Sequence, residues 1–146
     1  MAGADPLRLD VPRRPEALAD LRAAVRAFAA RLGFSEAAAA EILVAVGEAG
    51  ANAIEHAGSA AGGGRLRVSC RLADDDALVI ELPDYCRAAD VDRVCGRDLA
   101  DVRPGGLGVH CMQGLMDGFA LVPDDHGWAT LRLTRTRRRG RDEAGA

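Results

Sequence analysis

Residues 44–56, VAVGEAGANAIEH, constrain this chain more than any other stretch. Glu48, Asn52 and His56 recur every four residues, and at 3.6 residues per turn that spacing stacks a carboxylate, an amide and an imidazole along one stripe of a helix. Ile42, Val46, Ala49, Ala53 and Ile54 take up much of the remaining circumference. A helix that is apolar nearly all round and polar along one line belongs in a core, with the line facing a cleft. A carboxylate base and a side-chain carbonyl one turn apart could hold a hydroxyl against a hard cation, which prefers oxygen ligands. The competing reading is a plain polar gradient along a structural helix that ends at Gly58.

The flanking pattern alternates helices and strands. Residues 7–11 alternate as a short edge strand, broken by Pro12 and Pro15, which open a helix. Leu18, Leu21, Val25, Phe28 and Leu32 form the apolar side of that helix, and Gly33 ends it. Ser35 is the N-cap expected for the central helix. Residues 58–64 read as a small-residue loop. Residues 65–72 alternate Leu66, Val68, Cys70 and Leu72 against Arg65, Arg67, Ser69 and Arg71, a half-buried strand with an arginine face. Residues 77–82 return as its hairpin partner, stopped by Pro83–Asp84. Residues 85–105 read as a long loop with one helical turn near 91–94, and ordered loops of that length are usually functional. Residues 106–116, GLGVHCMQGLM, open a further helix, and 119–122 and 129–133 are two last strands. The layout predicts one α+β domain over 1–137: a two-layer sandwich with helices on one face of a mainly antiparallel sheet, followed by a polar tail at 138–146.

Composition removes several functions. All 19 basic residues are arginine, so mechanisms that place a lysine on phosphates, as in phosphate-loop NTPases and eukaryotic-type kinases, are closed to it. A net charge of −3 and 3% aromatic content argue against direct nucleic-acid binding. Cys70, Cys86, Cys95 and Cys111 form no CxxC pair, and a zinc site from Cys86, Cys95, His110 and Cys111 would match no common finger spacing. With no signal peptide and no apolar run of spanning length evident, the expected location is cytoplasmic, with no membrane and with reduced thiols.

Gly105, Gly106 and Gly108 stand where a loop becomes a helix, where backbone N–H groups can approach a phosphate. E-x3-N-x3-H on a helix, an Asp after a hairpin strand, and GGLG opening a helix beyond a long loop occur here in that order. Together they resemble the GHKL ATPase superfamily of gyrase, heat-shock chaperone, histidine kinase and mismatch-repair ATPases, with its Bergerat-type ATP-binding fold. The length and the run GGLGVHCMQGLMDGF look most like its small single-domain branch, the anti-sigma factor serine kinases.

That resemblance implies ATP and Mg as cofactors. It implies Asn52 as the Mg ligand, Glu48 as the catalytic acid that activates the attacking hydroxyl, and His56 as structural. Asp84 would bind the adenine amino group, Gly106 and Gly108 would lie beneath the phosphates, residues 85–105 would be the lid, and Thr130 would help hold the adenine. It further implies phosphorylation of a serine or threonine on an antagonist protein, sequestration of a sigma factor, and homodimerisation through the sheet. Arg103 in the lid and the Arg-rich stretch 135–141 read as solvated or as contacts for phosphate and for an acidic partner. One departure stands out. Where the family has D-x-G-x-G, this chain has Asp84-Tyr85-Cys86-Arg87-Ala88, and Cβ atoms at Cys86 and Ala88 would strain any positive φ there. Restoring both glycines is expected to tighten ATP binding, and a degenerate, binding-only regulator is the alternative function.

Overall fold

The computed structural model describes residues 5–58, 60–95 and 112–137. Their core is a five-stranded antiparallel sheet: β1 (Leu7–Pro12), β2 (Arg65–Leu72), β3 (Ala77–Arg87), β4 (Gly118–Pro123) and β5 (Trp128–Thr136), in the order β1-β2-β3-β5-β4. The helices are α1 (Leu18–Arg31), α2 (Glu36–Ala57) and α3 (Val91–Cys95), with a further helical turn at 112–115. The α+β sandwich is as expected, with β1 on one edge.

Each boundary has a local cause. Pro15 opens a 3-10 turn that runs into α1, and Gly33, at φ 86°, ends the segment in a conformation that other residues adopt only at a cost. The Ser35 hydroxyl accepts from the Ala38 N–H at 3.1 Å, satisfying one of the free donors at the start of α2, and Gly58, also at φ 86°, closes its far end. The β4–β5 turn is held by the Asp124 carboxylate, which accepts from the N–H groups of His126 and Trp128 and is thereby kept below the usual carboxylate range.

The core lies between the helices and one face of the sheet. Leu66, Val68 and Cys70 of β2, Leu78, Ile80 and Leu82 of β3, and Ala129, Leu131 and Leu133 of β5 meet Leu21, Val25 and Phe28 of α1 and Ile42, Val46, Ala49 and Ala53 of α2. Cys70 is a free thiol, and burial pushes it up to about 12, which makes it inert at neutral pH. Helix α2 is long and apolar enough to cross a membrane by composition, contrary to the expectation that no such run exists; here it is a core helix packed against α1 and β3.

Three expectations need correction. Pro83–Asp84 does not stop β3. Between the pairs Leu82↔Leu131 and Cys86↔Ala129 the strand advances four residues against two on β5, so it bulges and then resumes. Residues 85–87 are therefore strand rather than loop. Arg135 and Arg137 are not a solvated tail either. Arg135 is buried, donates to the Leu115 carbonyl at 2.7 Å and faces Glu41, while Arg137 pairs with Asp76 at 2.9 Å and donates to the Leu32 carbonyl. The expected tail, 138–146, lies outside the described residues.

Helix α1 crosses α2 over two glycines, which generates a paired test. A Cβ at Gly50 would stand 2.7 Å from Leu21 Cδ2 and 2.8 Å from Leu18 Cδ2, and Leu21 is fully buried and cannot withdraw. The three atoms nearest a Cβ at Gly47 all belong to the guanidinium of Arg22, on an exposed side chain free to swing away. Gly50→Ala should lower unfolding stability by about 1–3 kcal/mol, the usual cost of overpacking. Gly47→Ala should be neutral or stabilising, because alanine gains up to about 1 kcal/mol over glycine in a helix. Urea denaturation of both variants checks the contrast; equal losses would contradict the packing argument.

Candidate functional site

The polar stripe of α2 straddles the edge of the core. Glu48 is exposed, Asn52 one turn later is buried at 4% exposure, and His56 on the last turn is exposed again. The Asn52 amide nitrogen is buried without a hydrogen-bond partner among the described residues. Leaving a buried polar group unpaired costs about 1–3 kcal/mol, so it calls for an explanation in a helix otherwise built of aliphatic residues.

Asp84 lies in the β3 bulge at φ 55°, in the left-handed region, and only Asp76 shares that property among the described non-glycine residues. Its carboxylate comes close to Gly62, where an added Cβ would stand 3.2 Å from Oδ2. Gly62, Gly63 and Gly64 all have positive φ, so the segment expected to be a plain turn is a tight one packed beside the site.

Asp84 and α2 are joined by Arg13, a residue that pattern reading passes over. Arg13 is 1% exposed. Its Nη2 donates to the carbonyls of Ala53 at 2.9 Å and Asp84 at 2.7 Å, its Nε to Gly58 at 3.1 Å and its Nη1 to Arg65 at 3.3 Å. Burial lowers its pKa, and the negative charge of Asp84 acts the other way. One guanidinium nitrogen thus bridges the residue after Asn52 and the bulge that carries Asp84.

Of the residues expected to make the site, Glu48 and Asn52 share one line of α2, and Asp84 is tied to the same helix through Arg13. Thr130 is not brought to them. Along β5 the residues facing the helices are Ala129, Leu131, Leu133 and Arg135, which puts Thr130 on the opposite, open face of the sheet with Arg132 and Thr134. The β5 residue opposite Cys86 on the helix side is Ala129. Gly106, Gly108, Arg103, and the Cys95 side chain, His110 and Cys111 of the zinc alternative lie outside the described residues. Among the described residues no group of three metal-ligating side chains occurs.

The strain expected at Cys86 and Ala88 is absent. Neither has positive φ; Cys86 is buried in the resumed strand and the Ala88 N–H donates to the Gly127 carbonyl at 2.9 Å. The positive φ sits at Asp84 itself.

Comparison with known proteins bears on the family and the fold. The sequence profile of the histidine kinase-like ATPase domain matches residues 11–135. The serine-protein kinase RsbW of Listeria monocytogenes serotype 4a is 30% identical over 129 residues, covering 83% of this chain and 82% of that protein. The serine-protein kinase RsbW of Bacillus subtilis is 28% identical over 141 residues, 90% of this chain and 86% of that one. In three dimensions the fold matches the RsbU and RsbW domains of a Mycobacterium tuberculosis protein, with a TM-score of 0.66 at 21% identity over 91% of this chain and 32% of that chain. It also matches a chain of the SiaB-SiaC complex from Pseudomonas aeruginosa, with a TM-score of 0.60 at 15% identity over 88% of each. The chain therefore belongs to the histidine kinase-like ATPase domain family, in its anti-sigma serine-protein kinase branch.

The geometry at Cys86 and Ala88 reverses an expectation. Cys86→Gly with Ala88→Gly relieves no strain, empties a packed position and enlarges the conformational freedom of the free chain. The double variant should melt lower than the parent and bind ATP no more tightly; tighter binding in a calorimetric titration would contradict the backbone assignment.

Proposed function

We propose that this protein is an anti-sigma regulatory kinase that binds ATP with Mg and phosphorylates a serine or threonine on an antagonist protein in a partner-switching pathway, in the cytoplasm. The carrying observation is Asn52: a buried amide with an unpaired nitrogen, on the helix line that also carries an exposed carboxylate, in a helix tied through Arg13 to the left-handed Asp84. The residues fit the implied cofactor. A half-turn of the Asn52 amide exchanges its two ends and presents the oxygen that a hard cation prefers. Bound ATP with Mg supplies the transferable phosphoryl group and screens its charge.

The remaining chemistry belongs to the chain. Glu48, in contact with solvent, would take the proton of an incoming hydroxyl at its carboxylate as that oxygen attacks the terminal phosphorus and the bond to the leaving ADP breaks. Asp84 would accept a hydrogen bond from the exocyclic amine of adenine. Gly106 and Gly108 would supply backbone donors to the phosphates in place of a lysine. Similarity to the serine-protein kinases RsbW supports the kinase activity, and similarity to a chain of the SiaB-SiaC complex supports an interface with a second protein. Sequestration of a sigma factor and homodimerisation extend this reading. A second reading, a binding-only regulator with weak nucleotide affinity, is favoured by one observation: Cys86 fills with a buried side chain a position that is glycine in the family pattern.

Asn52→Ala should abolish metal-dependent ATP binding while leaving the melting temperature at or above that of the parent, since it removes an unpaired buried amide. Calorimetry with and without Mg reads this directly, and unchanged affinity would remove the cation from Asn52. Glu48→Gln should leave ATP binding intact and slow phosphotransfer by about 10²–10⁴, the usual worth of a general base. Transfer to a purified antagonist at the parent rate would exclude Glu48 as the base.

A further inference from the structure

We propose that Arg13 is a positioning residue for base recognition: it holds the Asp84 carboxylate where the exocyclic amine of a bound adenine would meet it. This rests on the nucleotide-binding reading above. Between Leu82 and Cys86 the pairing with β5 breaks, so this stretch of β3 lacks a regular ladder, and Asp84 within it adopts φ 55°. A left-handed residue with a side chain carries strain, less for aspartate than for most, and persists where its surroundings over-determine it. Arg13 provides that determination. Its bond to the Asp84 carbonyl, at 2.7 Å, is the shortest of the four it makes.

The guanidinium is itself immobile. The Arg13 N–H donates to the Gly64 carbonyl at 2.9 Å, Pro12 precedes it at the end of β1, and its Nε and Nη1 reach the end of α2 and the start of β2. The nitrogen that holds Asp84 also holds the Ala53 carbonyl, which anchors the guanidinium to the backbone of α2. Gly62 closes the other side: a Cβ there would approach Asp84 Oδ2 to 3.2 Å and Arg13 Nη1 to 3.5 Å. The carboxylate thus lies beside Gly62 and within the field of the Arg13 cation, on a backbone that the same guanidinium holds by its carbonyl.

A purely structural role for Arg13 predicts something different. Loss of the guanidinium would then weaken every nucleotide alike through the fold. Positioning predicts a loss confined to the base that donates to Asp84. The experiment measures Kd by calorimetry for Mg-ATP and Mg-ITP, which carries an oxygen in place of the amine. Parent, Arg13→Met, Arg13→Lys, Asp84→Ala and the Arg13→Met/Asp84→Ala double variant are compared, each with a thermal melt. The parent should prefer ATP. Arg13→Met should lose about tenfold in ATP affinity, equivalent to 1.4 kcal/mol, with ITP affinity unchanged. Arg13→Lys keeps the charge but gathers its donors on one nitrogen, so it should narrow the preference as well. In the Asp84→Ala background Arg13→Met should have no further effect on the ratio. If Arg13→Met does not fold, Arg13→Lys carries the same comparison. A parent-like ATP-to-ITP ratio in the folded Arg13 variants overturns the proposal and leaves the functional reading standing. A parent that binds both nucleotides equally overturns it through Asp84, and a parent that binds neither removes the nucleotide-binding reading and this inference with it.

Discussion

Burial of α2 between α1 and the sheet is the constraint on which the rest of this structure depends. Its inner residues, from Ala38 to Ala53, are aliphatic or glycine apart from Asn52. Such a helix can approach its neighbours closely, and Gly47 and Gly50 let α1 do so. The cost is that every polar group on the inner surface must find a partner or be lost in evolution to an apolar one. Asn52 is the exception, and its position explains it. One turn earlier, Glu48 is exposed in line with Glu41 and Val44, so the edge of the core passes between Glu48 and Asn52. A single helix thereby presents one group that can exchange protons with solvent and one held out of water.

The elements legible in the sequence are those whose causes are local. Ser35 and Gly58 mark the ends of α2 because a capping hydroxyl and a left-handed glycine act within a few residues. Strand β2 is readable along its whole length because one face is buried and the other is not, which writes period two directly into the chain. Strand β3 is readable only as far as Leu82. Its four residues from Ala77 to Ile80 are all buried, so alternation fades, and a proline and an aspartate then imitate a stop where the strand in fact bulges. Thr130 shows how sharp parity is. A threonine on the right strand reads as part of the site, yet moving by one residue along a strand changes the face of the sheet, and Ala129 is the inward position.

Arg13 is illegible for a different reason. Its partners lie 40, 45, 52 and 71 residues away and are all backbone carbonyls, which leave no trace in side-chain pattern. An arginine beside two prolines near a strand end reads as solvated by default, as does Arg135, which is equally committed to the fold through the Leu115 carbonyl and Glu41.

These two buried arginines give the absence of lysine a structural side as well as a mechanistic one. Burial disfavours a charged group, and it does lower the pKa of Arg13. A lysine so placed would be pushed toward neutrality, and its single nitrogen could not serve carbonyls on three sides. The guanidinium begins far enough above neutral pH to stay charged, and its planar fork divides among Ala53, Gly58, Arg65 and Asp84. Four carbonyl dipoles and the nearby charge of Asp84 replace the water that Arg13 has lost. The same contacts bring together the end of α2, the start of β2 and the bulge of β3, three segments that the chain order keeps apart. A fixed cation at that junction therefore does what a disulfide or a metal would do in a smaller fold, and it does so beside the residues on which nucleotide recognition would rest.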